Sequence, residues 1–218
     1  MSANPPEPLT ALLMVPTGDG VVLIAPALAD EQAAIRALAP HLAIGVFGTR
    51  VKSSEIGHLL QFAASWWEQH GHSLTAGTVR SFGQALQASR GDGEVVIFLG
   101  DARENRCSVV RVAGGEVEAR ISPPIKYLDV LCAWPLAADA STLVPLLQNL
   151  LPARLEDLAA DNVVAASRLV LQTMAQRSGV GVGRIDAIVA RNTVRDCREG
   201  RRSEYPVAGE TAAQGVLH

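Results

Sequence analysis

The sequence predicts an α/β (α+β) fold, a four-layer αββα sandwich in which two mainly antiparallel sheets lie between helix layers. The first observation is the order of elements: strand-like runs, two helical patterns, more strands, two more helices and a last strand. In such a chain each sheet buries one face on its partner and the other under helices. The second observation is composition, since 48% hydrophobic residues can fill a sizeable core.

The first three strands are indicated by apolar runs. Thr10–Val15 and Gly20–Ala25 flank the turn Thr17-Gly18-Asp19, and His41–Phe47 forms the third run. The uninterrupted β-rich stretch in the second run predicts a strand buried on both faces. The alanine-rich segment Asp30–Ala39 fits either a short helix or a strand, and the sequence leaves both open.

Two helices follow these strands. Ser53 and Ser54 are candidate N-caps for a helix over Glu55–His70, and a second helix is predicted over Ala76–Ser89. Trp66 and Trp67 are adjacent, so they lie about 100° apart around the helix. We expect one ring in the core, and the other either at a subunit interface or exposed to solvent.

The second half repeats the pattern. The turn Ala113-Gly114-Gly115 predicts a hairpin between two alternating runs. In chain order we predict strands over Glu94–Leu99, Cys107–Val112, Glu116–Ile121 and Tyr127–Trp134, helices over Leu136–Leu151 and Leu155–Arg177, a loop over Ser178–Arg184, and a strand over Ile185–Ala190.

These elements predict one domain over residues 10–191, preceded by a flexible leader or propeptide (1–9) and followed by a polar tail (192–218). The N-terminus lacks the basic and apolar regions of a signal peptide. No apolar run reaches the roughly 18 residues of a membrane-spanning helix. The sequence therefore predicts a cytoplasmic protein with no membrane partner.

Composition and spacing also argue against several ligands. The net charge of −3 comes with no basic stripe, so we expect no nucleic-acid partner. Three cysteines without CxxC spacing, and a 12-residue gap between His58 and His70 that is too long for one ion, predict no metal site. The glycine-rich loop Gly179–Gly183 follows a helix and precedes a strand, the reverse of a phosphate-binding loop. We therefore expect no cofactor.

Three stretches resemble a known family. Thr10-Ala11-Leu12-Leu13-Met14 through Gly18-Asp19-Gly20-Val21-Val22-Leu23-Ile24-Ala25 is similar to its opening hairpin, and His41-Leu42-Ala43-Ile44-Gly45-Val46-Phe47-Gly48-Thr49 to its strand before the first helix. Ser178-Gly179 through Gly183-Arg184-Ile185-Asp186-Ala187-Ile188-Val189 is similar to its glycine-rich loop into a late strand. With the element order over residues 10–191, the chain resembles a proteasome β-type subunit of the N-terminal-nucleophile (Ntn) hydrolase superfamily.

The resemblance implies both an assembly and a site. It implies a homo-oligomeric ring or double ring that takes polypeptide substrates, with the helix Glu55–His70 and its connections as candidate ring contacts. Thr10 falls at the nucleophile position, where removal of residues 1–9 would make its own amine the base. Gly48 falls at the glycine whose backbone N–H stabilises the oxyanion. Ser178 keeps the serine of the late loop.

The other supporting groups of the family are not matched. Its aspartate at the end of the second strand corresponds to Pro26, and its lysine to about Ala34, with Arg36 the nearest cation. Its later serine falls near Ala133-Trp134-Pro135 and its second aspartate near Ala175. The residue before Thr10 is leucine, where active members have glycine.

We interpret the fold as kept and the catalytic network as degraded, which predicts a non-catalytic or weakly catalytic relative of threonine peptidases. One alternative is an active N-terminal-threonine peptidase or amidohydrolase after leader removal. Another is a stand-alone domain that binds a protein or a small ligand, since a fold does not fix a function.

Overall fold

The computed structural model describes residues 11–26, 35–49, 53–71, 73–89, 94–133, 137–178 and 185–191. In these ranges the strands are β1 (Leu12–Pro16), β2 (Gly20–Pro26), β3 (Ile35–Ala39), β4 (Leu42–Thr49), β5 (Glu94–Asp101), β6 (Arg106–Ala113), β7 (Glu116–Ile121), β8 (Leu131–Ala133) and β9 (Ile185–Arg191). The helices are α1 (Ser53–His70), α2 (Ala76–Ala88), α3 (Ala137–Leu150) and α4 (Ala160–Ser178).

The strands form two antiparallel sheets. Sheet I has four strands in the order β8-β1-β2-β9, and sheet II has five in the order β3-β4-β5-β6-β7. Helices α1 and α2 pack on sheet II, while α3 and α4 pack on sheet I. The layers are therefore helix, sheet, sheet, helix, which confirms the predicted αββα sandwich.

Alternation along the strands divides the core in two. In β1, Leu13 and Val15 pack under α3 and α4, whereas Leu12 and Met14 face sheet II. The strand Gly20–Pro26 follows the same rule, and its residues Val21 to Ala25 are fully buried, as the sequence predicted.

The two sheets approach most closely at two glycines of sheet II. A Cβ at Gly45 would lie 2.5 Å from Leu12 Cδ1, and a Cβ at Gly100 would lie 2.5 Å from Val21 Cγ1. Both positions therefore exclude a larger side chain at this spacing. These contacts also fix which ends of the two sheets lie together.

We name the two ends of the sandwich by their residues. The turn end comprises the β1–β2 turn Thr17–Gly20, the β3–β4 turn Pro40–His41, Asp101 with Ala102, and Arg191, which are joined by backbone hydrogen bonds. The open end comprises Ala11, the ends of β2 and β8, the start of β9, and the β4–β5 strand ends.

Several predicted elements differ from the observed ones. The ambiguous segment contains strand β3, which pairs with β4 from Ile35 onwards. The strand predicted over Tyr127–Trp134 was too long: within the described residues it shortens to β8 plus one isolated bridge between Tyr127 and Arg154. The long last helix begins later, because Leu155–Asp157 forms a separate 3₁₀ turn.

The tryptophan pair also differs from the prediction. Trp67 is fully buried and Trp66 is 9% exposed, so both rings belong to the core. They pack edge to face at 5.1 Å between ring centroids, with Phe82 of α2 beside both. Neither ring is therefore available for the subunit contact expected of one of them.

Candidate functional site

The open end brings together the strand ends on which the expected site depends. In sheet I, Leu12 lies opposite Ala133, and Pro26 lies opposite Ile185. The approach of Leu12 to Gly45 places the second half of β4 against these ends. Strand pairing and sheet packing therefore bring the ends of β1, β2, β4, β8 and β9 together. This arrangement would form whether or not the strands carried catalytic residues.

Of the three candidate site residues, one is fully described. Gly48 is half-buried in β4 opposite Val95, next to the last residue of the strand. Thr10 lies outside the described residues, although Ala11 after it is buried. Ser178 is the last residue of α4, and its side chain lies outside the described part.

Two alanines lie near positions where the resemblance leads us to expect polar groups. Ala133 ends β8 and is 8% exposed on the face towards sheet II. Ala175 is fully buried between α4 and sheet I. A methyl group can neither orient a proton-transfer network nor carry charge, so these two positions contribute only packing.

Arg36 does not lie where the family's lysine is expected, because its side chain faces the helix side of sheet II. Arg36 lies opposite Ile44, whereas Ile35 lies opposite Gly45, the residue that faces sheet I. Directly opposed residues share a face, so the Arg36 side chain points to the helix side. There it lines a groove of about 470 Å³ beside α1, together with Gln61 and Glu68.

One acidic residue at the open end was not selected from the sequence. Asp186 lies opposite Ala25 on the face of β9 that is turned to sheet II, whereas Ile185 and Ala187 face the helices. The signal was available: a lone carboxylate interrupts an otherwise apolar strand at a period-two position. Asp186 is thus a described carboxylate on the inner face at this end.

The described thiols are not activated nucleophiles. Burial raises the pKa of Cys132, in β8, to about 11. Burial also raises the pKa of Cys107 above its usual range, with a further contribution from the charge of Asp129. The thiolate is the reactive form, so both thiols stay neutral and unreactive near pH 7.

Within the described residues, no three or more histidine, cysteine, aspartate or glutamate side chains lie close enough together to hold a metal ion. None of the helices in these ranges is long and apolar enough to cross a membrane.

The turn end differs sharply in its chemistry. Thr17 Oγ1 donates to Asp19 Oδ1 at 2.9 Å, and Asp19 Oδ2 lies 3.2 Å from Arg191 Nη1. Asp101 is 1% exposed and accepts from the backbone N–H of Arg103 at 2.9 Å and from its Nη2 at 3.0 Å. The interaction with Asp101 raises the pKa of the Arg103 guanidinium.

Comparison with known proteins places this geometry. No family model and no curated protein sequence matches the chain. Among solved structures it is similar to eukaryotic HslV from Trypanosoma brucei, with a TM-score of 0.52 and 14% identity over 84% of this chain and 100% of that chain. The chain has the Ntn-hydrolase fold.

This result agrees with the family that the sequence resembles, and it concerns architecture. At 14% identity the likeness concerns the fold alone, which here comprises two antiparallel sheets and four helices in the described residues. The described side chains at the open end are mostly apolar.

Proposed function

We propose that this chain is a subunit of a homo-oligomeric, proteasome-like ring whose own threonine centre is non-catalytic or weakly catalytic. The observation that supports this most is that Ala133 and Ala175, near positions expected to be polar in the family, present only buried methyl groups. The proposed ring is supported by the resemblance of the sequence to proteasome β-type subunits and by the Ntn-hydrolase fold.

The chemical argument rests on what a threonine needs. Its hydroxyl is a weak nucleophile, so it requires a base and a network that orients that base. A nearby cation would favour the deprotonated forms, yet Arg36 points to the helix side. Groups that act as a unit lose most of their effect when one is removed, so Thr10 with Gly48 alone would support little turnover.

The burial of both tryptophans limits which residues of α1 could contact a neighbouring subunit in a ring. With Trp66 and Trp67 in the core, a neighbouring subunit would meet the exposed residues of α1, such as His58, Gln61 and Glu68. The groove between α1 and β3 lies beside a strand at the edge of sheet II. An edge strand and a helix face together offer both backbone and side-chain contacts to a second copy.

Native mass spectrometry of the purified full-length chain tests the assembly and the processing together. We expect a closed homo-oligomer whose subunits retain the segment before Thr10. Subunits that begin at Thr10 would show an active, self-processed peptidase or amidohydrolase and would contradict the proposed loss of catalysis. A monomer or a dimer would contradict the ring and favour the stand-alone binding domain.

Hydrolysis of a fluorescently labelled unfolded polypeptide tests the site separately. The wild-type chain and Thr10→Ala should show the same low rate, and both should form the same oligomer. A rate that falls at least about tenfold in Thr10→Ala would show that Thr10 is a working nucleophile. Ala11→Ser serves as a control for substitution at this end of the chain.

A further inference from the structure

We propose that a pocket at the turn end binds a small phosphate-bearing molecule with a planar ring, of the mononucleotide class. The pocket has a volume of about 380 Å³ and is lined by residues from four separate segments: Gly18, Asn105, Ile125, Lys126, Tyr127, Arg154, Leu155 and Glu156. It lies away from the open end, so the inference is independent of the function proposed above.

The pocket is held in shape by backbone hydrogen bonds between its segments. The Ile125 N–H donates to the Asn105 carbonyl at 3.0 Å, and the Leu155 N–H donates to the Lys126 carbonyl at 3.3 Å. Gly18 completes the wall, where a Cβ would lie 2.8 Å from the Leu155 carbonyl oxygen. A site already formed in the free protein loses less entropy when it binds a ligand.

Two cationic side chains supply the phosphate contacts. Lys126 and Arg154 line the same pocket from two segments joined by a backbone hydrogen bond. Arg154 Nη1 lies 3.5 Å from Glu156 Oε1, with both side chains more than 70% exposed, so this ion pair is weak and readily exchanged. A guanidinium and an ammonium are the groups that proteins use to bind phosphate oxygens.

The planar part of the ligand is indicated by Tyr127. Its ring is 68% exposed, the highest value among the exposed large hydrophobic side chains of the described residues. The bridge between Tyr127 and Arg154 sets the ring and the guanidinium stem side by side on one face. A flat ring can stack on the tyrosine while its phosphate meets the cations.

The remaining lining groups complete the recognition. The Asn105 amide and the Glu156 carboxylate can accept hydrogen bonds from a ring amine or a sugar hydroxyl. Inorganic phosphate alone would leave Tyr127 and most of the volume unused. Pockets of roughly 300 Å³ or more suit ligands larger than a single ion.

Isothermal titration calorimetry at low salt tests the proposal with AMP, adenosine and inorganic phosphate as probes. We expect saturable AMP binding with a Kd below about 5 mM, and weaker binding of both fragments. Lys126→Ala should weaken AMP binding at least about tenfold, as the loss of a charge-assisted hydrogen bond does. Lys126→Arg should retain it, and Arg177→Ala, which removes an exposed arginine at the end of α4, should leave it unchanged.

Tyr127→Ala separates the two halves of the ligand. It should weaken AMP binding several-fold and leave phosphate binding unchanged. AMP binding that is absent, that survives Lys126→Ala, or that is no tighter than phosphate or adenosine binding would overturn the proposal. Thermal melting of each variant, expected to match the wild-type chain, shows that lost binding is not lost folding.

Discussion

At the turn end the strands are joined by charged and hydroxyl side chains, whereas at the open end the described strand ends are mostly packed with alanine, leucine and isoleucine. Asp19, Arg191 and Asp101 all have polar partners at the first end. Ala11, Ala133 and Ile185 are buried at the second. The described residues thus separate a turn end that is held by polar contacts from an open end that is mostly apolar.

The largest effect is expected for the reactivity of Cys132, which lies in β8 beside the open end and packs towards α3 and α4. With a pKa of about 11, its thiolate fraction at pH 8 is far smaller than that of a free cysteine of pKa about 8.5. We expect alkylation by iodoacetamide at least about a hundredfold slower in the folded chain than in urea. The rate should rise about tenfold per pH unit between pH 8 and 10, because deprotonation increases in that direction.

Peptide mass spectrometry of the labelled chain measures this rate for Cys132 alone. The urea-unfolded chain at the same pH is the matched control. A folded-state rate within about tenfold of that control would mean that the Cys132 side chain, which packs towards α3 and α4, is open to solvent and that β8 is not apolar on this side.

The next largest effect is expected at the turn end, from Asp101→Ala. The substitution removes a buried acceptor of hydrogen bonds from Arg103 Nε at 3.3 Å and Nη2 at 3.0 Å. Because Arg103 is 40% exposed, we expect a loss near the lower limit for charged hydrogen bonds, about 1.5 kcal/mol of unfolding free energy.

Chemical denaturation followed by tryptophan fluorescence measures that loss. Glu104→Ala, which changes an exposed carboxylate in the same turn, is the control and should cost less than about 0.5 kcal/mol. Equal losses for the two variants would show that the buried acceptor does not stabilise this end.

A comparable but smaller effect should distinguish the two inter-sheet glycines. Gly100→Ala pushes a methyl group against the branched, stiff Val21, whereas Gly45→Ala meets the flexible end of Leu12. We expect Gly100→Ala to cost about 1–2 kcal/mol and Gly45→Ala less. The same denaturation experiment decides the order, and a larger cost for Gly45→Ala would mean that the open end is the more rigid one.

The smallest expected effect comes from Asp19→Ala. Its ion pair with Arg191 is partly exposed, so solvent screens it and we expect a loss of only about 0.5 kcal/mol. Raising the salt concentration should reduce the difference between wild type and variant. A difference that does not change with salt would show that Asp19 acts mainly through its bond to Thr17.

Much of the fold could be predicted because its signals are local. The buried run Val21–Ala25 and the turn Gly114–Gly115, with φ of +57° and +81°, need only neighbouring residues to be recognised. Strand β8 was overestimated because the residues before it, from Tyr127 on, do not pair with sheet I and are held instead by a bridge and hydrogen bonds to residues 153–155. Helix α4 was started too early, because the apolar pattern continues through the 3₁₀ turn.

The candidate site was harder to predict from the sequence than the fold, because it depends on which face of its sheet each side chain occupies. Arg36 looked like the nearest cation from chain position, but its pairing with Ile44 turns it to the helix side. Asp186 reaches the inner face only through its register with β2. Pairing partners distant in sequence set both orientations, and a single sequence does not supply them.

The register of β3 has a consequence for how this chain could acquire chemistry. Arg36 is already a cation, so changing Arg36 to lysine would replace a guanidinium by an ammonium group but would not place the charge between the sheets. The inner position belongs to Ile35, which is 4% exposed and opposite Gly45. A lysine placed between the sheets on this strand would therefore replace a buried hydrophobic residue, and the substitution itself would lower the stability of the fold.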